Sequence, residues 1–344
     1  MRATARDVAE RVGCSLSTVS LVINGKDEGR VRPETRARVL AVAAELGYRP
    51  NATASALAKG QRDSIGFVSP DPTNPFFSMV LEGLARSLDS DLALTVLVPD
   101  RGEDYDLATV RRALEGNLAG LILASPGTRL LESFVPTSPT VILDAGGSAG
   151  AVPSIDLDVR SAARTLSEYL ASLGHRSVGY VGVSRDKASL QHRRDELRAG
   201  LEREGSALVG DLEVDELAIE HAERAFAAVW PKWAAAGVTA VVCGDDLYAY
   251  GVMRACRALG VSIPADVSLV GFNDLPYSDL SAPPLTSVNL FATKLGAEAA
   301  RMLQRYVRTG KPPPSRTLET SLVIRGSTGP APQAARGLAR AAPA

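Results

Sequence analysis

The sequence predicts an α/β protein with an N-terminal all-α head of helix-turn-helix type, a short connecting helix, and a two-lobed core of two doubly wound parallel sheets. Three observations predict this. From Ser64 onward, the 344-residue chain alternates short apolar runs with amphipathic helices. Runs rich in β-branched residues and leucine are typical of parallel strands covered on both faces. The alternation occurs twice in tandem, which indicates two sheets. Two short helices on either side of Gly13 predict the head.

The composition is that of a globular protein with a basic segment at one end. Hydrophobic residues make up 45% of the chain and charged residues 22%, which is ordinary for a folded domain. Residues 1–62 carry a net charge of +5, which leaves −6 for the remainder, so phosphates are expected as partners of the N-terminal end only. The chain shows no signal-peptide pattern and no apolar run near 20 residues, so we expect a cytoplasmic protein with no membrane partner and with reduced thiols.

The head begins with two helices joined by a tight turn. Thr4 is the expected N-cap of the first helix, Gly13 stands where a left-handed residue must end it, and Ser15 caps the second. The apolar positions of the two helices are Val8, Ala9 and Val12, then Leu16, Val19, Val22 and Ile23. Short side chains that can reach base edges in a major groove lie on the outer face of the second helix: Ser17, Thr18, Ser20 and Leu21. The alternative is an ordinary helical hairpin inside a core.

A third helix and a connector follow. Asn24 and Gly25 end the second helix, and the pattern over residues 32–46 predicts a third helix. Its inward positions are Val39, Leu40, Val42 and Ala43, and Arg36 and Arg38 face outward. In the connector, residues 51–59 can form only about two helical turns, which are marginal in water without a partner. A disordered linker is the alternative.

The predicted core elements alternate in sequence. The first four strands are the runs IGFV, LALTVLV, GLILA and TVILDA, with helices over about 76–88, 103–116 and 130–134. The second set of strands is SVGYVGV, a strand around Leu212, VTAVVCG and DVSLVGF, with helices over about 191–204, 218–236 and 247–259. One more helix is predicted over 290–309 and one more strand over 317–324. The residues after that strand end in a tail that is expected to be disordered.

Several motifs occur together in a fixed order: DVAERVGCSLSTVSLVINGK, VRPETRARVLAVAAELGYRPNATASALAKGQ, IGFVSPDPTNPFF, VCGDDLYAYGVMRACRALG, IPADVSLVGFNDLP and LVIRGST. In these motifs the chain resembles the lactose-repressor (LacI/GalR) family of bacterial transcriptional regulators. The resemblance implies a DNA-binding head over 1–48, a hinge helix over 49–61, an effector-binding core like that of periplasmic sugar-binding proteins over 62–329, and a tail over 330–344. It also implies a first lobe of about 62–158 and 291–318 and a second lobe of about 159–290 and 319–329.

The resemblance implies a repressor that binds a palindromic DNA operator as a homodimer, with a tetramer as the alternative. Leu16, Ser17 and Leu21 match the family's base-reading positions. Leu57 matches the hinge leucine that wedges between base pairs in the minor groove. Expected phosphate contacts are Arg2, Arg6, Lys26, Arg30, Arg32, Arg36 and Arg49. The predicted DNA-binding residues are Thr4, Ser15, Leu16, Ser17, Thr18, Ser20, Leu21, Asn24, Arg32, Arg49, Asn51, Ala54 and Leu57.

The same resemblance implies a small-molecule effector, a sugar, bound between the lobes beyond the carboxyl ends of the strands. Arg193 matches a family arginine whose fork suits vicinal hydroxyls or a carboxylate. Asp245 and Asn273 exchange the asparagine and aspartate usual in the family, which moves the charge between the two positions. For Asp245, a helix N-cap is the alternative. The predicted effector-binding residues are Phe76, Phe77, Lys187, Ser189, Arg193, Asp245 and Asn273, whereas Trp230 and Trp233 are expected to pack in the core.

Signals for catalysis are weak. Gly146–Gly150 matches the G-x-S-x-G nucleophile elbow, but that motif requires a helix directly after it. The following residues, AVPSIDLD, are typical of an extended strand, so we expect a glycine-rich loop. The three histidines show neither metal-ligand nor triad spacing. We therefore expect no enzyme activity, no metal and no cofactor. The alternatives left open are a small-molecule carrier or a cleft enzyme on the same two-lobed fold.

Overall fold

The computed structural model describes residues 3–23, 25–48, 64–98, 109–113, 118–147, 149–183, 188–214 and 217–332. The chain divides into two compact units, Met1–Asp63 and Ser64–Ala344. The first unit is the head and the second is the two-lobed core.

Three helices form the head: α1 (Ala5–Val12), α2 (Leu16–Ile23) and α3 (Pro33–Glu45). A capping box begins α1, since the Thr4 hydroxyl accepts from the backbone N–H of Asp7 and the Asp7 carboxylate accepts from the backbone N–H of Thr4. Gly13 ends α1 at φ 74°, a conformation that costs glycine little. Ser15 Oγ accepts from the backbone N–H of Thr18 at 3.1 Å and caps α2. These three predictions are confirmed.

A small apolar core joins the three head helices. Its fully buried members are Val8, Ala9, Val12, Val19, Val22, Val39 and Ala43. Two expected members lie outside it, because Leu40 is 39% exposed and Leu16 is 47% exposed. The prediction that these two side chains lie on the apolar faces was wrong, whereas the base-reading role predicted for Leu16 stays a prediction. On α3 the inward stripe runs through Val39 and Ala43, four residues apart, and Leu40 lies beside this stripe.

The core unit contains the following strands and helices. The strands are β1 (Ser64–Val68), β2 (Ala93–Leu97), β3 (Leu118–Ala124), β4 (Thr140–Leu143), β5 (Ser154–Leu157), β6 (Ser177–Val183), β7 (Ala207–Val214), β8 (Ala240–Cys243), β9 (Ser268–Asn273), β10 (Thr286–Asn289), β11 (Arg316–Leu318) and β12 (Ser321–Val323). The helices are α4 (Pro75–Ser87), α5 (Thr128–Ser133), α6 (Val159–Ser172), α7 (Ala188–Arg203), α8 (Ile219–Ala235), α9 (Asp246–Leu259) and α10 (Ala292–Thr309). Of the helix predicted over 103–116, the described residues 109–113 are helical.

The strands form two six-stranded sheets, one in each lobe. The first has the order β11-β5-β4-β3-β1-β2 and the second the order β12-β10-β9-β8-β6-β7. All pairs are parallel except β10 with β12. The carboxyl ends of the parallel strands therefore lie at one edge of each sheet, where side chains from successive strand ends come together.

The chain crosses between the lobes near Asp158, near Phe291 and after Leu318. The single strand predicted over 317–324 was wrong, because β11 belongs to the first sheet and β12 to the second. Between them the chain is held to the first crossing, where the backbone N–H of Asp158 donates to Leu318 O at 2.8 Å and Thr320 Oγ1 donates to Asp158 O at 3.1 Å. An apolar pattern does not reveal a change of sheet between two such short strands.

Two glycines allow α4 and α10 to pack backbone to backbone in the first lobe. A Cβ atom on Gly83 would lie 2.0 Å from Thr293 O, and one on Gly296 would lie 2.0 Å from Val80 O. Because such contacts are impossible for a real Cβ, both positions require glycine.

None of the described helices has the length and apolar character needed to cross a bilayer.

Candidate DNA interface and effector cleft

The outer face of α2 is open to solvent in the head. Leu16, Ser17 and Ser20 are exposed, and Leu21 and Thr18 are half-buried. The hydroxyls of Thr4 and Ser15 serve as helix caps, and Ser15 Oγ also lies 2.9 Å from Thr18 Oγ1. Of these two predicted DNA-binding residues, Ser15 thus also belongs to the turn that presents the others.

Exposed cations accompany this face within the head: Arg6, Lys26, Arg30 and Arg32. Arg36 instead forms an ion pair with Asp27, whose Oδ2 lies 2.9 Å from Arg36 Nε. Arg2, Asn24, Arg49, Asn51, Ala54 and Leu57 lie outside the described residues, as does Lys187 of the predicted effector site.

Three predicted effector-binding residues meet in the core at the carboxyl ends of β8 and β9. Arg193 Nη1, from α7, donates to Gly244 O at 3.2 Å. The next residue, Asp245, accepts from Asn273 Nδ2 at 2.7 Å. The side chains of Arg193, Asp245 and Asn273 are all at least 95% buried. Together with Asp144 and Asn74 they form what we call the cleft cluster.

Two contacts of the cleft cluster join the lobes directly. Arg193 Nη2 donates to Asp144 Oδ2 at 3.0 Å, from the second lobe to the first. Asn74 Nδ2, on the first lobe, donates to Asp245 Oδ2, on the second lobe, at 3.0 Å. Asp144 also accepts from Ser125 Oγ at 3.3 Å. Asn74, Ser125 and Asp144 were not predicted, although Ser125 directly follows one predicted strand and Asp144 lies near the end of the next, so both could have been found by position.

The two carboxylate oxygens of Asp245 have different partners. Oδ1 accepts from the backbone N–H of Leu247 at 2.9 Å and caps α9, so the N-cap interpretation is confirmed. Oδ2 takes the amide hydrogens of Asn74 and Asn273. Burial raises the pKa of Asp245 to about 6, against the hydrogen bonds and the Arg193 charge, which lower it. The side chain therefore titrates closer to neutral pH than an exposed carboxyl group does.

Asp246 holds the segment after β9, whose last residue, Asn273, belongs to the cleft cluster. Asp246 was also not predicted from the sequence. Its carboxylate accepts from the backbone N–H of Leu275 at 2.7 Å and from the hydroxyls of Ser278 and Ser287 at 2.8 and 2.7 Å. Burial raises the pKa of Asp246 to about 7. These bonds hold the turn after β9, where Asn273 has φ 110° and Asp274 has φ 51°. Left-handed non-glycine residues of this kind concentrate at functional sites.

The aromatic residues of the predicted site pack inside the first lobe. Phe76 and Phe77 are 4% and 9% exposed, with ring centroids 5.3 Å apart in an edge-to-face arrangement. Ser189 is also buried. Trp233 packs in the second-lobe core, where Trp230 stacks on Phe226 at 5.4 Å. The expectation of packing for both tryptophans is confirmed.

The described residues of the nucleophile-elbow pattern, Gly146, Gly147, Ala149 and Gly150, form a loop, as predicted, and Ser148 lies outside the described residues. After β4 the chain turns through Gly146 and Gly147, and the next regular element is β5. The backbone N–H groups of Ala145 and Gly147 donate to Asp156 Oδ1 at 2.9 and 3.4 Å. Within the described parts of the chain, no cluster of His, Cys, Asp and Glu could hold a metal ion.

An open groove of about 730 Å³ borders the cleft cluster, since Thr73 and Pro75, the chain neighbours of Asn74, line it together with Leu247. Apolar side chains of α9 and of the segment after β9 line it, among them Leu247, Met253, Tyr277 and Leu280. Leu280 is 81% exposed and Tyr277 57% exposed. None of the described effector-site residues predicted from the sequence lines this groove.

Comparison with known proteins agrees with both parts of the fold. Residues 4–51 match bacterial regulatory proteins of the lacI family, and residues 167–328 match the periplasmic binding protein-like domain. The HTH-type transcriptional regulator AglR of Rhizobium meliloti (strain 1021) is 31% identical, with 96% of each chain covered.

Solved structures show the same architecture. The lac repressor dimer bound to operator and the anti-inducer ONPF superposes with a TM-score of 0.83 at 26% identity, over 96% of this chain and 100% of that one. The transcriptional regulator CelR in complex with cellobiose gives a TM-score of 0.67 at 26% identity, over 95% of this chain and 100% of that one. The chain belongs to the LacI family of bacterial transcriptional regulators.

Proposed function

We propose that this protein is a transcriptional repressor that binds a palindromic operator as a homodimer and responds to a small carbohydrate held between its lobes. The observation that carries the proposal is the capped helix-turn-helix of the head, whose second helix has an exposed outer face of short side chains. Such a helix fits a major groove. The solved relatives bound to operator and to cellobiose support both halves of the proposal.

In this proposal, α2 reads bases and the basic side chains hold the backbone. Leu16, Ser17 and Leu21 would contact base edges, with Ser20 beside them, and Thr4, Ser15 and Thr18 would contact DNA or support that contact. Arg32 would contact phosphate. Asn24, Arg49 and the hinge residues Asn51, Ala54 and Leu57 complete the proposed set. The proposed division remains a head over 1–48, a hinge over 49–61, a core over 62–329 and a tail over 330–344.

The cleft cluster is the proposed effector site. Arg193, Asp245 and Asn273 would hydrogen-bond the ligand, with Lys187 and Ser189 on the adjoining segment. Phe76 and Phe77 would form the apolar wall behind it, because a sugar ring offers an apolar face. Effector binding would change the contacts between lobes, since the same side chains already bridge them.

A second copy of the chain is the proposed occupant of the groove that contains Leu280 and Tyr277. A palindromic operator requires two heads related by symmetry. Leu280, with four fifths of its surface in solvent, is the kind of side chain that a dimer interface buries. The lac repressor relative is itself described as a dimer.

The proposal assigns the chain no catalytic activity and places it in the cytoplasm, on the nucleoid. The carboxylates and Arg193 of the cleft cluster are engaged in bonds that hold the lobes and helix α9.

The test is fluorescence anisotropy on a palindromic operator candidate from the upstream region of its own gene. Ser17→Glu places a carboxylate in the first turn of α2, where a helix tolerates it but a base edge and the phosphates do not. We expect operator affinity to fall about a hundredfold or more. Ala85→Glu on the exposed face of α4 makes the same charge change in the core and should leave operator affinity within about twofold.

Equal loss in both variants would contradict the assignment of α2, since it would reflect net charge alone. Native affinity for the operator no higher than for random duplex, at every salt concentration, would exclude the repressor. The carrier and enzyme hypotheses would then gain support.

A further inference from the structure

The cleft cluster holds an arginine whose charge is already compensated inside the protein. Arg193 is 4% exposed, and its Nη2 lies 3.0 Å from Asp144 Oδ2, which is equally buried. Its Nη1 donates to Gly244 O, and its guanidinium carbon lies 5.6 Å from the centre of the Phe272 ring. A buried ion pair of this kind is strongly held, because separating it leaves an uncompensated charge in a low-dielectric interior.

This pairing limits how Arg193 can receive a ligand. A guanidinium binds an oxyanion with two parallel bonds either through Nη1 and Nη2 or through Nε and Nη2. Because Nη2 belongs to both edges and donates to Asp144, a carboxylate or phosphate on either edge would lie beside the Asp144 carboxylate. Like charges so placed, away from water, repel strongly.

The remaining charges of the cleft also disfavour a negatively charged ligand. Asp245 adds a second carboxylate, shared between Asn74 and Asn273. Asp274, the residue after Asn273, is paired with Arg325 at 2.7 Å and offers no net charge. Among the described residues of the cleft cluster, the carboxylates of Asp144 and Asp245 therefore outnumber the single cation, Arg193. Lys187, which the proposed site also includes, lies outside the described residues.

Several buried polar atoms at this edge of the sheets have no hydrogen-bond partner in the described chain. They are Arg193 Nε, a donor, Asn273 Oδ1, an acceptor, and Ser69 Oγ, which can be either. Buried groups of this kind normally find partners. A hydroxyl group donates and accepts at once, so a molecule with several neighbouring hydroxyls could satisfy donor and acceptor together without bringing charge.

We propose, as a refinement that rests on the effector site proposed above, that the cleft accepts an uncharged polyhydroxyl ligand such as a neutral sugar and excludes sugar phosphates and sugar acids. Asp144 is the residue that sets this choice, because it neutralises Arg193 and occupies the position beside it. The chain thus discriminates by ligand charge through a carboxylate on the first lobe and an arginine on the second.

The test uses acetate as the simplest carboxylate. The melting temperature is followed as acetate replaces chloride at constant ionic strength, for the native chain, Asp144→Asn, and the double variant Asp144→Asn with Arg193→Gln. In Asp144→Asn the arginine loses its counter-charge, and we expect acetate to raise its melting temperature saturably by about 2–4 °C. The native chain and the double variant should follow the chloride control, because one retains Asp144 and the other lacks the charge.

A saturable rise in the native chain, or no difference between Asp144→Asn and the double variant, would overturn the proposal. A calorimetric comparison on the native chain needs no variant to fold: glucose and ribose are each titrated against their phosphates, and glucose against glucuronate. Binding of a charged member about tenfold tighter than its neutral counterpart would also overturn it. Operator binding, measured in the same samples, tests the repressor separately, since its loss would leave the anion result unchanged.

Discussion

At the residue scale, Asp245 makes two different kinds of contact in the cleft. One oxygen of Asp245 caps a helix while the other bridges two asparagines. The position of Asp245 at a strand end was enough to predict that it lies at the site. Its partner Asn74 could not be predicted, because the contact spans 171 residues of sequence and depends on how the two lobes face each other.

Asp245 should make stability depend on pH. Its pKa is raised by burial from 3.8 to about 6, so the folded chain binds more protons than the unfolded chain between these values. Folding stability from this group is therefore highest at low pH and falls as pH rises from about 4 to about 6. Asp245→Asn replaces the titrating carboxyl group with an amide of the same shape. The free energy of unfolding of this variant, relative to that of the native chain, should therefore increase as pH rises across this window, by up to about 1.4 kcal/mol per pH unit. Urea unfolding at a series of pH values measures this, and a pH-independent difference would contradict it.

At the scale of elements, hydrophobic periodicity predicted most helices and strands of the core because buried parallel strands are continuous apolar runs. Hydrophobic periodicity gave wrong predictions where tertiary packing decides the placement of a strand or a side chain. Arg316–Leu318 and Ser321–Val323 form strands in different sheets, although the intervening sequence carries no breaker. Leu40 sits beside an apolar stripe without joining it. In both cases the outcome is set by tertiary packing, which sequence propensity does not contain.

The contact between α4 and α10 gives a prediction at this scale. A methyl group on Gly296 would meet Val80 O at 2.0 Å, so Gly296→Ala must push the helices apart. We expect a loss of about 1–3 kcal/mol or more, a fall of roughly 4 °C or more in melting temperature. Ser78→Ala, on the exposed face of α4, should change the melting temperature by no more than about 1 °C. Helix propensity alone favours alanine over glycine, so a higher melting temperature for Gly296→Ala would show that the helices do not meet there.

At the scale of the whole molecule, the proposed function requires two copies and two lobes to act together. The sequence predicts the tandem sheets and the basic head, but it does not reveal which surface pairs the copies. The exposed Leu280 became visible only in the folded core, because an isolated leucine in the segment SDLSAPP gives no periodic signal.

Leu280→Asp should weaken the dimer. The side chain is mostly in solvent, so the fold should survive, whereas a charge in the proposed interface should raise the dimer dissociation constant about thirtyfold or more. Sedimentation equilibrium measures this, and Val135→Asp is the matched control, since Val135 is 77% exposed on the first lobe. An unchanged dimer in Leu280→Asp, or equal dissociation in both variants, would place the interface elsewhere.

In the proposed mechanism, a ligand in the cleft controls the affinity of the head for DNA. The most direct measurement is a paired titration: operator affinity with and without a saturating neutral sugar identified by calorimetry, and sugar affinity with and without operator. Linkage requires both ratios to be equal, and we expect a common factor of about 5 to 150. A sugar that binds the core while operator affinity stays the same would show that the cleft does not control the head.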